Sequence, residues 1–395
     1  MGKLVFTFKH FNKLHCMPQL SIWEKESFFA PQDIIIIGSG FVGLWSALHL
    51  IESNPNKKIT ILERGLIPTG ASTRNAGFSC FGSPSELVAD VAAMGEDKMW
   101  QLVAMRYKGL LQIRQHFAEE TIGYDPHGGY ECFTKDSKDW EACAEKMDWL
   151  NNGLQSITGV PSIFTIADEK LNQFGFEGFE HLIENPLEAG LHAGKLVQAL
   201  LRKIQGLGVQ VLTGIEVTGY TENNQSITVT TNQQLEFSCR QLLLCTNAFT
   251  KKLLPQLDIR PCRGQILLTS PIPNFTIKGT FHFDEGYYYF RNLDDRLLLG
   301  GARNKAFDDE ATETIDTTEI IQQTLEEFTR RHLLPGINFT ITNRWSGIMA
   351  MGNDKLPIVK AISNQVYCCV RMSGMGVALA PGVGEQITAL MNERD

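Results

Sequence analysis

Gly38, Gly40 and Gly43 follow the β-branched run Asp33–Ile37 in GxGxxG spacing, and that combination can hold a pyrophosphate. Gly38 permits a tight turn, Gly40 lets the backbone approach the phosphates, and Gly43 lets a helix pack closely on a strand. Ser39, Phe41 and Val42 would stand at the start of that helix, whose apolar face runs through Leu44, Ala47, Leu48 and Ile51. Its unpaired amides and dipole favour an anion. A second apolar segment, KITILE, ends on Glu63, 25 positions beyond Gly38. A carboxylate there can accept both ribose hydroxyls and repels a 2′-phosphate, so NADP is disfavoured. Strand, glycine turn, helix, strand and acid together predict a βαβ dinucleotide site rather than a turn that serves packing alone.

The rest of the chain must position that site. With 395 residues, 43% hydrophobic and 20% charged, it can bury a large core and is expected to divide into two domains. A formal charge of −8 with no basic stripe argues against nucleic acid. Nine cysteines, odd in number and without a CxxC pair, predict neither a disulfide framework nor a metal site. They fit a reducing cytoplasm, with peripheral attachment to the inner membrane as the alternative location. No apolar run reaches the roughly 18 to 20 residues of a transmembrane segment. Residues 1 to 16 carry lysines and no acids. They read as a membrane-surface helix, a targeting segment, or sequence upstream of a true start at Met17, and function is not expected to depend on them.

Residues 65 to 82, GLIPTGASTRNAGFSCFG, separate FAD from NAD. An NAD domain returns to regular helix and strand after its acid, whereas this glycine- and serine-rich loop is long enough to run back under a cofactor and along its ring. Arg64, Gly70, Ala71, Ser72, Arg74, Asn75, Ala76 and Gly77 are its candidate contacts. With GSGFVGL, LERG and TGASTRNAG, the chain resembles the flavoprotein family of D-amino-acid oxidase, glycine oxidase and sarcosine oxidase. LHAGKLVQALLRKIQGLGVQVLTGIEVTGY, RGQILL, YYYFRNLDDRLLLGG, RWSGIMAMGNDKLPIV and RMSGMGVALAPGVGEQITAL follow in the family's order, so the resemblance spans residues 20 to 395.

The resemblance implies an α/β fold: a Rossmann-type FAD-binding domain with an interleaved α+β substrate domain built on an antiparallel sheet. Residues 1–30 would be an N-terminal extension. Segments 31–85, 186–255 and 341–395 would bind FAD, and 86–185 with 256–340 would form the substrate domain. YYYFR and RLLLGG, joined by NLDD, read independently as a hairpin. By resemblance, Gly374, Met375, Gly376, Val377 and Ala378 start a helix aimed at the flavin pyrimidine, with Pro381 near that start. Val217 would clasp adenine, and Thr246 and Asn247 would meet the cofactor after Cys245, where many members read Ala-Thr-Gly.

Three departures bear on chemistry. Met349 stands where the amino-acid oxidases carry a carboxylate-pairing arginine, so small α-amino acids are expected to be poor substrates unless Arg291 or Arg303 supplies the cation. Ala378 and Leu298 stand where sarcosine-type enzymes carry lysines, the second of which helps oxygen react. Gly347 lies near the position of their flavin-attaching cysteine, so FAD is expected to be non-covalent. WSGIMAMG, YYYFR and DDRLLLGG look most like the γ-glutamylputrescine oxidase branch. Tyr287 and Tyr289 share one strand face and Tyr288 takes the other, so the pair can line a slot or merely cover a sheet. Arg291 shares their face, where it either binds a remote acid or, as the leading expectation, stays exposed and pairs with Asp294 or Asp295. His282 is the histidine candidate, and Arg74 is expected at phosphate or flavin. The implied activity is oxidation of a C–N bond of a small amine or amino acid by hydride transfer to flavin, with hydrolysis of the imine and O2 or another acceptor. The alternatives are a D-amino-acid dehydrogenase serving a quinone or carrier and a non-catalytic flavin-binding subunit.

Overall fold

The isoleucines of the strand Gln32–Ile37 divide between two cores. Ile34 and Ile36 pack with the helices Phe41–Ser53, Ala193–Gly206 and Gly376–Asn392, while Ile35 and Ile37 pack with Val229, Leu242 and Leu244 on the opposite face. Such two-sided burial is why this segment is a continuous β-branched run. The computed structural model describes residues 19–393, so the expectation for residues 1 to 16 lies outside them. At the start of the described chain, Ser21 and Glu24 form a capping box on the short helix Ile22–Glu26.

Five parallel strands form the centre of the first sheet, in the order Val366–Val370, Glu236–Leu244, Gln32–Ile37, Ile59–Glu63 and Gln210–Thr213. Ile358–Ala361 adds an antiparallel edge, and Val217–Glu222 with Ile227–Thr231 extends Glu236–Leu244 as a meander. This is the doubly covered sheet expected around the βαβ unit.

The second sheet runs Ile341–Met351, Arg260–Thr269, Arg296–Gly301, Tyr288–Leu293, Thr280–Phe283, Gly129–Phe133, His181–Asn185 and Thr165–Ile166. Its pairs are antiparallel except Thr280–Phe283 with Gly129–Phe133. The predicted hairpin closes with Leu293 opposite Arg296. One face of this sheet buries Phe281, Phe290 and Tyr288 beneath Phe328 of the helix Glu319–Phe328. The other face turns His282 and Tyr289 towards the cavity described below. Residues 341–351, expected with the cofactor domain, pair along Arg260–Thr269 instead, from Met351 opposite Arg260 to Ile341 opposite Thr269. Strand pairing puts them in the second sheet, and the chain returns to the first only at Ile358. Pro381, expected near the start of the closing helix, lies inside it.

The closing helix Gly376–Asn392 is wedged between the fingerprint helix Phe41–Ser53 and the long helix Glu96–His116. At Gly109 the last of these comes so close that a Cβ would lie 1.9 Å from the Ala378 carbonyl oxygen. The placement of the closing helix therefore depends on a missing methyl group. Gly109→Ala is expected to cost about 1–3 kcal/mol of stability, as overpacking does, read as a lower thermal unfolding midpoint. An unchanged midpoint would show that the helices can part at no cost.

Candidate functional site

A large cavity opens between the two sheets, beyond the carboxyl ends of Gln32–Ile37 and Ile59–Glu63. Two helices begin on it without side-chain caps, Phe41–Ser53 after Gly40 and Gly376–Asn392 after Met375. Phe41 N donates to Ser72 Oγ at 2.8 Å, whereas the amides of Val42, Gly43, Gly376, Val377 and Ala378 find no protein acceptor among the described residues. Exposed first-turn amides and the positive end of the helix dipole suit anionic or electron-rich groups. The cavity thus holds two anion-favouring ends at separate places along its wall.

The glycines fit a backbone-approach role. Gly38 has φ +101°, and a Cβ there would meet the Cys245 carbonyl oxygen at 2.8 Å. A Cβ at Gly43 would lie 2.0 Å from the Gly38 oxygen, which fixes helix against turn. Gly38, Gly40, Phe41 and Val42 line the cavity, while Gly43 and Ser39 stand behind it. Ser39 donates its amide and hydroxyl to Glu63 Oε2 at 3.0 and 2.7 Å, and Gly65 N donates to Oε1 at 2.9 Å. A carboxylate offers about four lone-pair sites. Three are taken, so Glu63 has room for one further donor rather than the two ribose hydroxyls expected of it.

The loop after Glu63 runs along the cavity, with Gly70, Ala71, Ser72, Arg74, Asn75, Ala76 and Gly77 in the wall. Its polar side chains serve mainly to shape it. Asn75 donates to the Ala71 and Ser72 carbonyls and accepts from Gly77 N. Arg74, expected at phosphate or flavin, gives Nε to the Thr69 carbonyl and Nη1 to the Ser346 carbonyl, both at 2.9 Å. It staples the loop to the strand Ile341–Met351. Gly347 lines the cavity beside it, where a Cβ would sit 3.0 Å from Arg74 Cβ. No thiol stands there. Arg64 stacks on Phe249 at 3.9 Å, and Val217, Thr246 and Asn247 line the same end as Glu63. Gly374, Met375, Gly376, Val377 and Ala378 line the other.

Asn247 Oδ1, Ser373 Oγ and His282 Nε2 are buried atoms without hydrogen-bond partners, and all three residues contribute to the cavity wall. Orphaned polar atoms of this kind are what a bound polar ligand would satisfy. Together with the glycine cradle and the open amides, the residues present fit a dinucleotide cofactor.

Tyr287, Tyr289, His282 and Met349 also line the cavity, while Tyr288 is buried in the core on the other face of the second sheet, against which Tyr287 is partly packed as well. Burial pushes the Tyr289 phenol up to about 12 and holds His282 down to about 4, so both are neutral at physiological pH. His282 packs edge-on against Phe78. Arg291 is not in this wall and is not exposed. It is 4% exposed, donates Nη1 to the Gly77 and Leu191 carbonyls at 2.6 and 3.0 Å, and lies near Asp125 rather than forming the expected pair with Asp294 or Asp295. Gly190 lacks a Cβ where this guanidinium passes, since one would stand 2.3 Å from Arg291 Cζ. The arginine is a tie between the cofactor loop and its neighbour.

Sequence reasoning missed an ionic group in the cavity wall. Lys355 Nζ lies 2.6 Å from Asp90 Oδ1 and 3.1 Å from Glu86 Oε1, and buried Arg106 adds a second cation to Glu86 at 3.3 Å. Burial would raise the Glu86 carboxyl, but Lys355 and Arg106 outweigh it and hold it well below the usual range. Asp90 is raised by burial and by Glu86. The available signal was Glu86 and Asp90 one helical turn apart on Pro84–Met94. Behind His282, burial also raises two carboxylic acids, Glu131 to about 7 and Glu188 to about 8. Among the described residues no cluster of potential metal ligands occurs, and no helix is long and apolar enough to cross a membrane.

Residues 33–390 match the model of the DAO family, described as FAD dependent oxidoreductase. The γ-glutamylputrescine oxidoreductase of Escherichia coli K12 is 23% identical over 374 residues, covering 91% of this chain and 83% of that protein. A D-amino acid dehydrogenase of Vibrio atlanticus is 26% identical, covering 91% of this chain and 96% of the relative. In fold, the chain is similar to glycine oxidase from Bacillus cereus, with a TM-score of 0.71, 18% identity, and coverage of 92% of this chain and 96% of that one. The chain belongs to the DAO family of FAD-dependent oxidoreductases, and the dinucleotide that the cavity fits is FAD. With glycine at position 347, acid precipitation should leave the flavin in the supernatant. Yellow colour kept by the washed pellet would contradict non-covalent binding.

Proposed function

From membership of that family, we propose that the protein oxidises the C–N bond of an amine or amino acid, with bound FAD supplying the hydride acceptor and water hydrolysing the imine product. The reading is carried by the neutral, aromatic end of the cavity, where Tyr287, Tyr289, His282 and Met349 converge beside the uncapped start of the helix Gly376–Asn392. An amine can give up hydride from its neighbouring carbon only when its nitrogen lone pair is free. A wall of phenols, a thioether and an imidazole held neutral by burial disfavours the ammonium form by desolvation. No strong base is required of the protein. Tyr289 and His282 keep the amine neutral and orient it, and the ring of Phe78 packs against both side chains.

The uncapped amides of Gly376, Val377 and Ala378 supply fixed positive potential at the far end of the cavity. Placed at the flavin pyrimidine, they would favour negative charge there. Near Glu63, the open amide of Val42 at the helix start is suited to the pyrophosphate. Neither function needs a charged side chain.

A second reading, a dehydrogenase delivering electrons to a quinone or carrier, is favoured by Leu298. It occupies the position where the family resemblance puts an oxygen-assisting lysine, and it is 5% exposed and packed with Ile266 and Leu268. No ammonium stands there.

Mixed without oxygen with a panel of primary amines, secondary amines and amino acids, the yellow protein should bleach with at least one class. Admitting air should restore the colour slowly, and a dye acceptor should restore it fast. Flavin that no member of the panel bleaches would instead support a non-catalytic flavin-binding subunit.

A further inference from the structure

A second, much smaller cavity of about 10 Å³ lies behind His282. Glu131, Glu188, Asn185 and His282 are in its wall, and all four are buried. The volume suits a single water molecule. His282 Nε2 and Asn185 Nδ2, in that wall, have no hydrogen-bond partner among the described residues. Buried polar atoms in that state call for a partner.

The second sheet sets a row of side chains leading there. Tyr289 stands opposite His282, and His282 opposite Glu131, across three neighbouring strands. Residues directly opposite share a face, and neighbouring strands lie about 4.8 Å apart, so the row runs from the large cavity into the interior. His282 belongs to the walls of both cavities. Its Nδ1 lies on the side of Gly286 in the large one, where a Cβ on that glycine would be 3.9 Å away.

The two buried acids differ in what they already accept. Glu131 takes hydrogen bonds from Ser83 Oγ, Ser85 N and Ser85 Oγ. Glu188 Oε1 takes Phe81 N and Gly82 N at 3.0 and 3.4 Å, while its Oε2 accepts nothing from the described residues. That free oxygen sits against Gly129, where a Cβ would lie 2.3 Å from it. Burial, with Glu86 and Glu131 adding to it, raises Glu188 to about 8, and the adjacent Cys80 thiol and Tyr124 phenol, themselves raised by burial, stay neutral. Glu188 therefore exchanges a proton near neutrality. On His282, burial is the main lowering influence, with Arg106 adding to it and Glu86 opposing.

We propose that His282, a water molecule in the small cavity and Glu188 form a proton relay, which takes the proton that a substrate ammonium must lose before its carbon can give up hydride. This deepens the reading of the large cavity as an amine-oxidising site and rests on it. His282 receives the proton at Nδ1 and releases another from Nε2 to the water, which passes one to Glu188 Oε2. Asn185 Nδ2 holds the water by donating to it. An ammonium and a carboxylate become an amine and a carboxylic acid, so two charges disappear from the interior, which burial favours. The imidazole passes protons through without staying charged, in keeping with its low basicity. Run backwards, the chain returns the proton and resets the ring.

The test uses the FAD-loaded protein and has two arms. A crystal structure should show water within hydrogen-bond distance of His282 Nε2, Asn185 Nδ2 and Glu188 Oε2, and a dry cavity there would overturn the relay. In the second arm, anaerobic flavin reduction is followed against pH with N-methylcyclohexylamine, which arrives as an ammonium, and N-methylaniline, which arrives neutral. At saturation, reduction by the first should speed up as pH rises through about 8, where Glu188 becomes the accepting carboxylate. Glu188→Gln still accepts both amides through its carbonyl oxygen but cannot take the proton. It should remove that pH limb and cut the ratio of the two rates, charged amine over neutral, about a hundredfold, the lower end of what positioned proton transfer contributes. His282→Gln should remove the same limb. A ratio that stays unchanged in Glu188→Gln, as when both amines slow equally, would overturn the relay. Water at the three atoms in a protein whose flavin no amine reduces would uphold the hydrogen-bonded chain and reject the oxidation reading.

Discussion

At Gly43 a single added methyl group would lie 2.0 Å from the carbonyl oxygen of Gly38, and most of the site follows from that contact. The fingerprint helix can start hard against the turn only because Gly43 has no side chain. Gly38 in turn accepts a left-handed φ of +101° beside the Cys245 carbonyl, so the ends of two neighbouring parallel strands draw together. With Gly40 as an N-cap lacking a side-chain hydrogen bond, the amide of Val42 is left without a protein acceptor at the cavity wall. A crevice beyond the carboxyl ends of parallel strands, bordered by a helix N-terminus, is where a dinucleotide binds.

The second constraint is how the cavity holds its charges. Arg74 and Arg291 look like ligand-binding arginines in the sequence, yet both give their hydrogen bonds to backbone carbonyls. They stiffen the loop 65–82 against the second sheet and against Leu191. Lys355, also in the cavity wall, is clasped by Glu86 and Asp90.

The local features were legible. Four consecutive β-branched residues before a glycine turn describe a strand buried on both faces, whereas Tyr287 precedes the strand Tyr288–Leu293 and packs partly against the same core as Tyr288. The hairpin closing at Leu293 and Arg296 follows from its turn residues. What was not legible depends on chain-distant partners. Arg291 meets Gly77, 214 residues earlier, and Lys355 meets Glu86, 269 residues earlier, and no periodicity encodes such pairs. The family resemblance put residues 341–395 with the cofactor domain, whereas the backbone of Ile341–Met351 pairs with Arg260–Thr269 in the second sheet. Glu63 was recognised as an acid at the ribose end, whereas its three internal donors became visible only with the fold.

One cavity should take FAD along its length, with the pyrophosphate at the start of the helix Phe41–Ser53 and the ring at the start of Gly376–Asn392. Calorimetric titration of protein stripped of flavin tests this most directly, comparing FAD with riboflavin and then adding ADP as competitor. FAD should bind on the order of a hundredfold or more tightly than riboflavin, since only FAD carries the anion that the first helix awaits, and ADP should displace it competitively. Equal affinity for FAD and riboflavin, with ADP without effect, would contradict a pyrophosphate site at that helix.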